Sequence, residues 1–394
     1  MGNELKNPPL VAQLLGSKLT FIHLLRFFFF VIGLSLGVTV SVYYKSFSFN
    51  LQELCLSSPP RLLEPPPPQP WIQPSVSGSA LYTQQPLMHS MDDEELFWRA
   101  LMVPRRKKFQ GEHAPKIAFM FLTKGPLHLS PLWETFFQGH QGLYTIYVHT
   151  HPLFNWTVPV DSVFYRTRIP SKAIKWGQAS MIDAERRLLA NALLDFYNER
   201  FVLLSETCIP LFNFTTIYNF LVNANQGFVA SYDDPRTTGR GRYNPKMAPT
   251  ITISDWRKGS QWFEMNRKMA IETVSDTSYY PIFNELCRPP CYSDEHYIPT
   301  LISKCCSLEN SNRSITWVDW SKAGPHPGRF GRASISLEFL NDIRFNCTAP
   351  HRLNSSNASS TSMCFLFGRK FMSDALRPLL QIAPILLGLN SSQF

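Results

Sequence analysis

The sharpest offer of acid–base chemistry is Ser293-Asp294-Glu295-His296, inside the stretch CRPPCYSDEHYIPTLI from Cys287 to Ile302. Ser293 reads as an N-cap, which puts Asp294 and Glu295 in a first helical turn, where backbone N–H dipoles favour negative charge. A carboxylate fixed there can take a proton from a substrate hydroxyl as general base. The same pair also serves simply as the charge that starts a helix. Hydrolysis by two carboxylates across one bond is not available, because neighbours on a helix point about 100° apart.

A diphosphate leaving group needs its charge neutralised, and fixed Arg or Lys side chains can do that. Cys364–Phe371 reads CFLFGRKF, a short apolar strand that delivers Arg369 and Lys370 at its end. Arg329 and Arg332 lie in HPGRFGR. Each of these alone is also an ordinary surface charge. Asp255–Phe263, DWRKGSQWF, mixes Trp256 and Trp262 with Arg257 and Lys258. Aromatic faces stack on sugar rings and basic groups meet phosphate or acidic sugars, although a core-anchored loop has the same composition. Thr237–Tyr243, TTGRGRY, is a basic loop that either covers a ligand or is solvated. His149 and His151 have no Cys or carboxylate at metal-binding spacing, which favours a structural role at a strand end. The chain contains no glycine-rich phosphate loop and no Asp-x-Asp motif, and Asp233-Asp234-Pro235 reads as a turn.

These residues must be carried by a scaffold. Buried-type strands are expected at Lys116–Leu122 (KIAFMFL), Leu143–His149, Val163–Thr167 and Phe201–Leu204, with a weaker one at Gly227–Ser231. Helices are expected around Leu132–Gln138 and at Ser180–Asn198, an amphipathic pattern. Alternating strands and helices indicate an α/β sheet covered on its faces. Ligands of such sheets bind beyond the carboxyl ends of the strands. That points to Leu122-Thr123-Lys124, His149-Thr150-His151 and Ser205-Glu206.

The N-terminal part is different. Phe27–Tyr44 is uncharged and has roughly the minimum length of a transmembrane helix. Lys6, Lys18 and Arg26 precede it and Lys45 follows, so residues 1–26 are expected in the cytosol and the bulk of the chain in a lumen. No small-x-small cleavage site follows, which favours a retained signal anchor at 27–44 over a cleaved signal peptide. Residues 45–113 read as a luminal stem, with the proline tract PPRLLEPPPPQP acting as an extended spacer. Within it, residues 91–103 (MDDEELFWRALMV) form a short amphipathic helix, and 114–394 is the catalytic domain. Net charge is +9, from 38 Lys+Arg against 29 Asp+Glu, which fits an acidic ligand or a membrane surface. No long basic block interleaved with aromatics occurs, which argues against nucleic acid. Eight cysteines fit no zinc frame, and Cys287 and Cys291 are close enough for a local disulfide. Sequons lie at Asn155, Asn213, Asn312, Asn346, Asn354, Asn357 and Asn390. Together these favour an oxidising, glycosylating compartment.

Several ordered blocks from about Met91 to Leu380 carry a family resemblance: DDEELFWRA, KIAFMFLT, IKWGQASMIDAERRLL, RFVLLSETCIPL, SYDDP with GRGRY, WRKGSQWFE, CYSDEHYIPT and LFGRKF. The chain resembles the plant, brittle-culm-type branch of the core-2/I-branching β-1,6-N-acetylglucosaminyltransferase-like proteins, glycosyltransferase family 14-like. The resemblance implies a Golgi type II membrane glycosyltransferase with a GT-A-like nucleotide-sugar-binding sheet and no divalent metal. It implies an inverting mechanism with Glu295 as base. Arg332, Arg369 and Lys370 are then expected to stabilise a departing UDP. Leu122, Thr123, Lys124, His149, Thr150, His151 and Trp176 are expected at the donor. Asp234, Arg240 and Arg242 are expected at a glycan or glycoprotein acceptor, with Trp262 a further candidate there. His149 stands where animal relatives carry an acidic residue. A catalytically inactive carbohydrate-binding or scaffolding protein on the same fold is the alternative.

Overall fold

The computed structural model describes residues 28–33, 87–103, 114–155, 157–322, 324, 326–345 and 363–388. The expected cytoplasmic tail, most of the anchor and stem, and Asn346, Asn354, Asn357 and Asn390 lie outside the described residues. Residues 28–33 are helical. Among the described residues, no helix is long and apolar enough to cross a membrane. The chain separates into residues 1–80 and 81–394, and all that follows concerns the second unit.

Helix α1 (Asp93–Met102) opens on Asp92, whose side chain accepts from the Glu95 N–H at 2.8 Å. Leu96 and Ala100 turn inward and join the main core. Asp93 accepts from Arg187 at 2.7 Å and from Lys172 at 2.7 Å. The helix that the sequence assigns to the stem is therefore docked on the head. Its apolar face and its acidic first turn both find partners there.

The central sheet runs in the order β2-β1-β3-β5. Strands β1 (Lys116–Leu122), β2 (Tyr144–His149) and β3 (Asn198–Ser205) are parallel, and β5 (Glu264–Asn266) is antiparallel to β3. Leu122 pairs with both His149 and Ser205, so the three carboxyl ends finish level. This mixed α/β sheet fits the GT-A-like expectation. Strand β4 (Ile209–Pro210) joins β7 (Phe367–Arg369) and β6 (Thr316–Val318) in a second, small sheet. Val163–Thr167, expected as a strand, is a turn in which the Thr167 hydroxyl bonds the Phe164 carbonyl at 2.8 Å. Only a single bridge, Val148 to Arg168, remains of that pairing. Gly227 and Phe228 likewise form isolated bridges only.

Alternation along β1 explains the two layers. Ala118, Met120 and Leu122 face one core with α3 (Ala179–Leu193), α5 (Arg267–Ser275), α6 (Tyr279–Leu286) and α7 (Tyr297–Cys305). Ile117, Phe119 and Phe121 face the other with α2 (Ser130–Phe137), α4 (Phe214–Val222), α8 (Leu337–Phe345) and α9 (Leu376–Leu386). Phe119 meets Phe137 edge-on at 5.0 Å and Phe136 at 5.9 Å. Truncating such a ring to Ala costs roughly 3–5 kcal/mol. Helix α3 is not half-exposed as its amphipathic pattern suggests, since 13 of its 15 residues are buried. Its polar side chains are matched individually. Arg187 meets Asp93, Glu185 accepts from Gln261 at 2.9 Å, and Arg186 donates to the Val274 carbonyl at 2.8 Å.

Candidate active site

The local chain around Glu295 is set by three constraints. A disulfide joins Cys287 and Cys291. Tyr292 then takes a left-handed conformation with φ 52°, a state that costs a non-glycine residue about 1–2 kcal/mol. One tight 3-10 turn, Ser293–Glu295, follows before α7 begins. Ser293 is thus not the expected N-cap, and its buried hydroxyl has no partner among the described residues. Outside this turn, Gly259 donates its N–H to the Glu295 carbonyl at 2.9 Å. A Cβ on Gly259 would lie 1.8 Å from the Ala230 carbonyl oxygen, so only glycine lets Lys258 and its neighbours approach the turn.

That approach delivers the electrostatics. Glu295 Oε2 accepts from Lys258 Nζ at 2.5 Å and from Arg242 Nη1 at 2.6 Å. Burial pushes the Glu295 carboxyl up, but Lys258 and Arg242 together hold it below the usual carboxylate range. Asp294, next door, points into the interior, and its Oδ1 has no partner among the described residues. Burial, and then the Glu295 charge, push Asp294 up to about 6. Two adjacent carboxyls are driven apart by environment, and Glu295 is the more acidic of the two. Behind them His296 stacks on Trp256 at 4.4 Å and donates Nδ1–H to the Arg257 carbonyl at 2.8 Å. Burial pulls His296 down to about 3, so the ring is neutral. Trp256 is core: it stacks on Phe283 at 5.4 Å and donates Nε1–H to the Gly239 carbonyl at 3.1 Å.

The cation pair arrives from the second sheet. Arg369, at the end of β7, donates Nε–H to Ser205 Oγ at 3.1 Å and lies 4.2 Å over the Trp262 ring. Trp262 is 5% exposed, so its face is used by Arg369. Burial lowers the Arg369 guanidinium, and Cys208, then Glu206 and Asp294, oppose that. Burial also lowers Lys370, followed by the charges of Arg369 and Arg329. Arg329 is thus close enough to be felt at Lys370. Arg332 is exposed and donates its backbone N–H to Asp374 at 3.2 Å. A pocket of about 430 Å³ opens beside Lys370, lined by Lys124, His128, Glu206, Thr207, Phe371 and Ser373 among others. It sits at the carboxyl ends of β1 and β3, where this sheet class binds ligands.

The remaining sequence candidates divide between the strand ends and the base. Leu122 is buried in the α3-side core. Thr123 and Thr150 are buried, and their hydroxyls have no partner among the described residues. His149 Nε2 accepts from the Lys172 N–H at 3.3 Å, which leaves the proton on Nδ1, also without a partner. Burial pulls His149 down to about 3. His151 Nδ1 accepts from the Leu153 N–H at 3.3 Å. Trp176 lies against Tyr292 at 4.8 Å, on the base side of the site. Asp234 is buried and holds its own loop together, accepting from Arg236 and from the Thr238 hydroxyl. Arg240 is paired with Asp233 at 2.7 Å on the surface. Among the described residues, no group of three or more His, Cys, Asp or Glu side chains could hold a metal ion. Sequence reasoning did not connect Lys258 or Tyr292 to Glu295. The one legible signal was the Trp-Arg-Lys-Gly run, in which Gly259 permits the close approach. Asn155 and Asn312 are exposed, whereas Asn213 caps α4 by accepting from the Thr216 N–H at 2.8 Å. Cys364 is disulfide-bonded, and Cys208, Cys305 and Cys306 are free thiols.

Residues 117–344 match the family model of the Core-2/I-Branching enzyme. The chain is 33% identical over 311 residues to Glycosyltransferase BC10 of Oryza sativa subsp. japonica, covering 68% of this chain and 77% of that protein. With the match spanning the sheet, the base turn and the loops that clamp it, the chain belongs to the Core-2/I-branching enzyme family and is a glycosyltransferase.

Proposed function

We propose that this glycosyltransferase moves a sugar from a UDP donor to a glycan or glycoprotein acceptor by a single inverting displacement, with Glu295 as general base. The observation that carries this reading is the ionised Glu295 carboxylate, held on a tight turn and clamped by Lys258 and Arg242. The acceptor hydroxyl gives its proton to Glu295 as its oxygen bonds to the anomeric carbon. The bond from that carbon to the diphosphate oxygen breaks, and the electron pair leaves with UDP. Arg369, Lys370 and Arg329 supply positive charge for the departing diphosphate. Arg369 is fixed by Ser205 and Trp262, and with Lys370 and Arg329 beside it positive charge is available without a divalent metal, which is why metal independence is part of the proposal. The unpartnered groups of Thr123, His149 and Thr150 at the strand ends are suited to the polar edges of a nucleotide. A Golgi membrane anchor at 27–44, with the catalytic unit in the lumen, completes the reading. It is supported by the apolar run, the sequons and the Cys287–Cys291 disulfide.

The test is a panel of UDP-sugars offered to the purified full-length protein, with and without chelator. UDP release from one donor, undiminished by chelator, is the expected result. Release that needs an added divalent cation would overturn metal independence. A folded protein that neither binds nor turns over any UDP-sugar would overturn the donor.

A further inference from the structure

Trp176 is a large aromatic that the fold leaves 57% exposed beside the base. Its ring lies 4.8 Å from that of Tyr292. Arg242 covers Tyr292 at 4.5 Å and also donates to Glu295 at 2.6 Å. Trp176 is therefore two side chains removed from the carboxylate that must meet the acceptor hydroxyl. Two unusual backbone states hold this contact. Tyr292 has φ 52°, and Gly177 has φ 72°. A Cβ on Gly177 would come 2.8 Å from Tyr292 Cδ1, so the Tyr292 ring could not stay where it is with another residue there. Left-handed strain at Tyr292, the residue that backs Trp176 and lies three before Glu295, is an expected mark of function. The His326 ring lies 6.1 Å from that of Trp176. From there the chain runs to Phe330, whose N–H bonds the Lys370 carbonyl at 3.0 Å.

We propose that Trp176, backed by Tyr292, is the platform on which a pyranose ring of the acceptor glycan stacks, setting its hydroxyl at Glu295. The physical argument is positional. In an inverting displacement the acceptor attacks from the side opposite the diphosphate. A sugar platform that reaches Glu295 through Tyr292 and Arg242 therefore serves the acceptor. An indole face also offers a large, rigid apolar surface to the C–H face of a pyranose at little entropic cost. The proposal rests on the transferase reading with Glu295 as base and adds the acceptor's contact to it.

The test is saturation-transfer NMR on the purified full-length protein with galacto-, xylo- and gluco-oligosaccharides and their uronic-acid counterparts. Trp176→Ala and Trp176→Phe are compared with the unaltered protein, and protection from heat by UDP serves as the control for folding. The expected result is saturation of one ring face by the unaltered protein and by Trp176→Phe, weakened roughly tenfold or more in Trp176→Ala. Where a donor is turned over, Trp176→Ala should raise the acceptor KM and lower the ratio of transfer to hydrolysis, while the donor KM stays close to its starting value. Equal saturation in Trp176→Ala, a donor KM that rises instead, or no binding of any oligosaccharide by the unaltered protein would each overturn the platform. Binding through Trp176 in a protein that transfers nothing would keep the platform and sink the proposed reaction.

Discussion

Glu295→Gln keeps the shape of the side chain and one acceptor oxygen but removes the charge. General-base catalysis contributes roughly 10²–10⁴ in rate, or about 3–5 kcal/mol of barrier, and that is the loss expected in kcat. The structure also gives the cost to folding. Arg242 and Lys258, with side chains 17% and 15% exposed, both direct a hydrogen bond at the same carboxylate oxygen. A neutral Gln can keep both hydrogen bonds through its one amide oxygen but leaves both cations without a counter-charge. Roughly 1–3 kcal/mol of stability should go with it. Because each kcal/mol moves the melting point of a domain this large by about 2–4 °C, the assay belongs well below the transition. UDP binding is expected to survive, since Arg369 and Lys370 contact other groups. UDP release would be followed with donor and acceptor, and UDP protection against heat would be measured in parallel. Near-normal kcat in a folded, UDP-binding variant would refute the assignment of the base.

Lys258→Met removes one of the two cations that hold the Glu295 carboxyl down. Its affinity for a proton should rise, and the acidic limb of kcat/KM should move to higher pH. An unmoved limb would mean that Glu295 does not govern it. Lys370→Ala should weaken UDP roughly ten- to a hundredfold by removing one charge-assisted contact of about 1.5–3 kcal/mol, read by calorimetry. Asp294 bears on stability rather than rate. Its carboxyl rises from 3.8 to about 6 on folding, so the stability it lends is fully present below 3.8 and lost as pH rises through 6. Asp294→Asn removes that loss. Relative to the unaltered protein it should gain up to roughly 3 kcal/mol between acidic and neutral pH, measured by urea unfolding across that range. A constant difference across that range would show that Asp294 is not titrating there.

Much of the scaffold was legible in the chain itself. KIAFMFL has no polar interruption, and a strand buried on both faces needs just that. The Cys-Arg-Pro-Pro-Cys spacing allows a local disulfide, and the carboxylates directly after it announce the chemistry. What the chain could not announce was partnership. Glu295 is clamped by Lys258 and Arg242, 37 and 53 residues away, and Arg369 bonds Ser205 across 164 residues. Trp256 and Trp262 looked like sugar platforms, yet one is core and the other carries Arg369. Trp176, which the family resemblance puts at the donor, is left exposed beside the base. Helix α1 looked like a spacer until Arg187 gave Asp93 a counter-charge. Apolar period, turn residues and disulfide spacing act over a few residues and are written locally. Which charge faces which, and which ring keeps an open face, is decided by contacts between distant segments, and those exist only once the sheet and its two layers have closed.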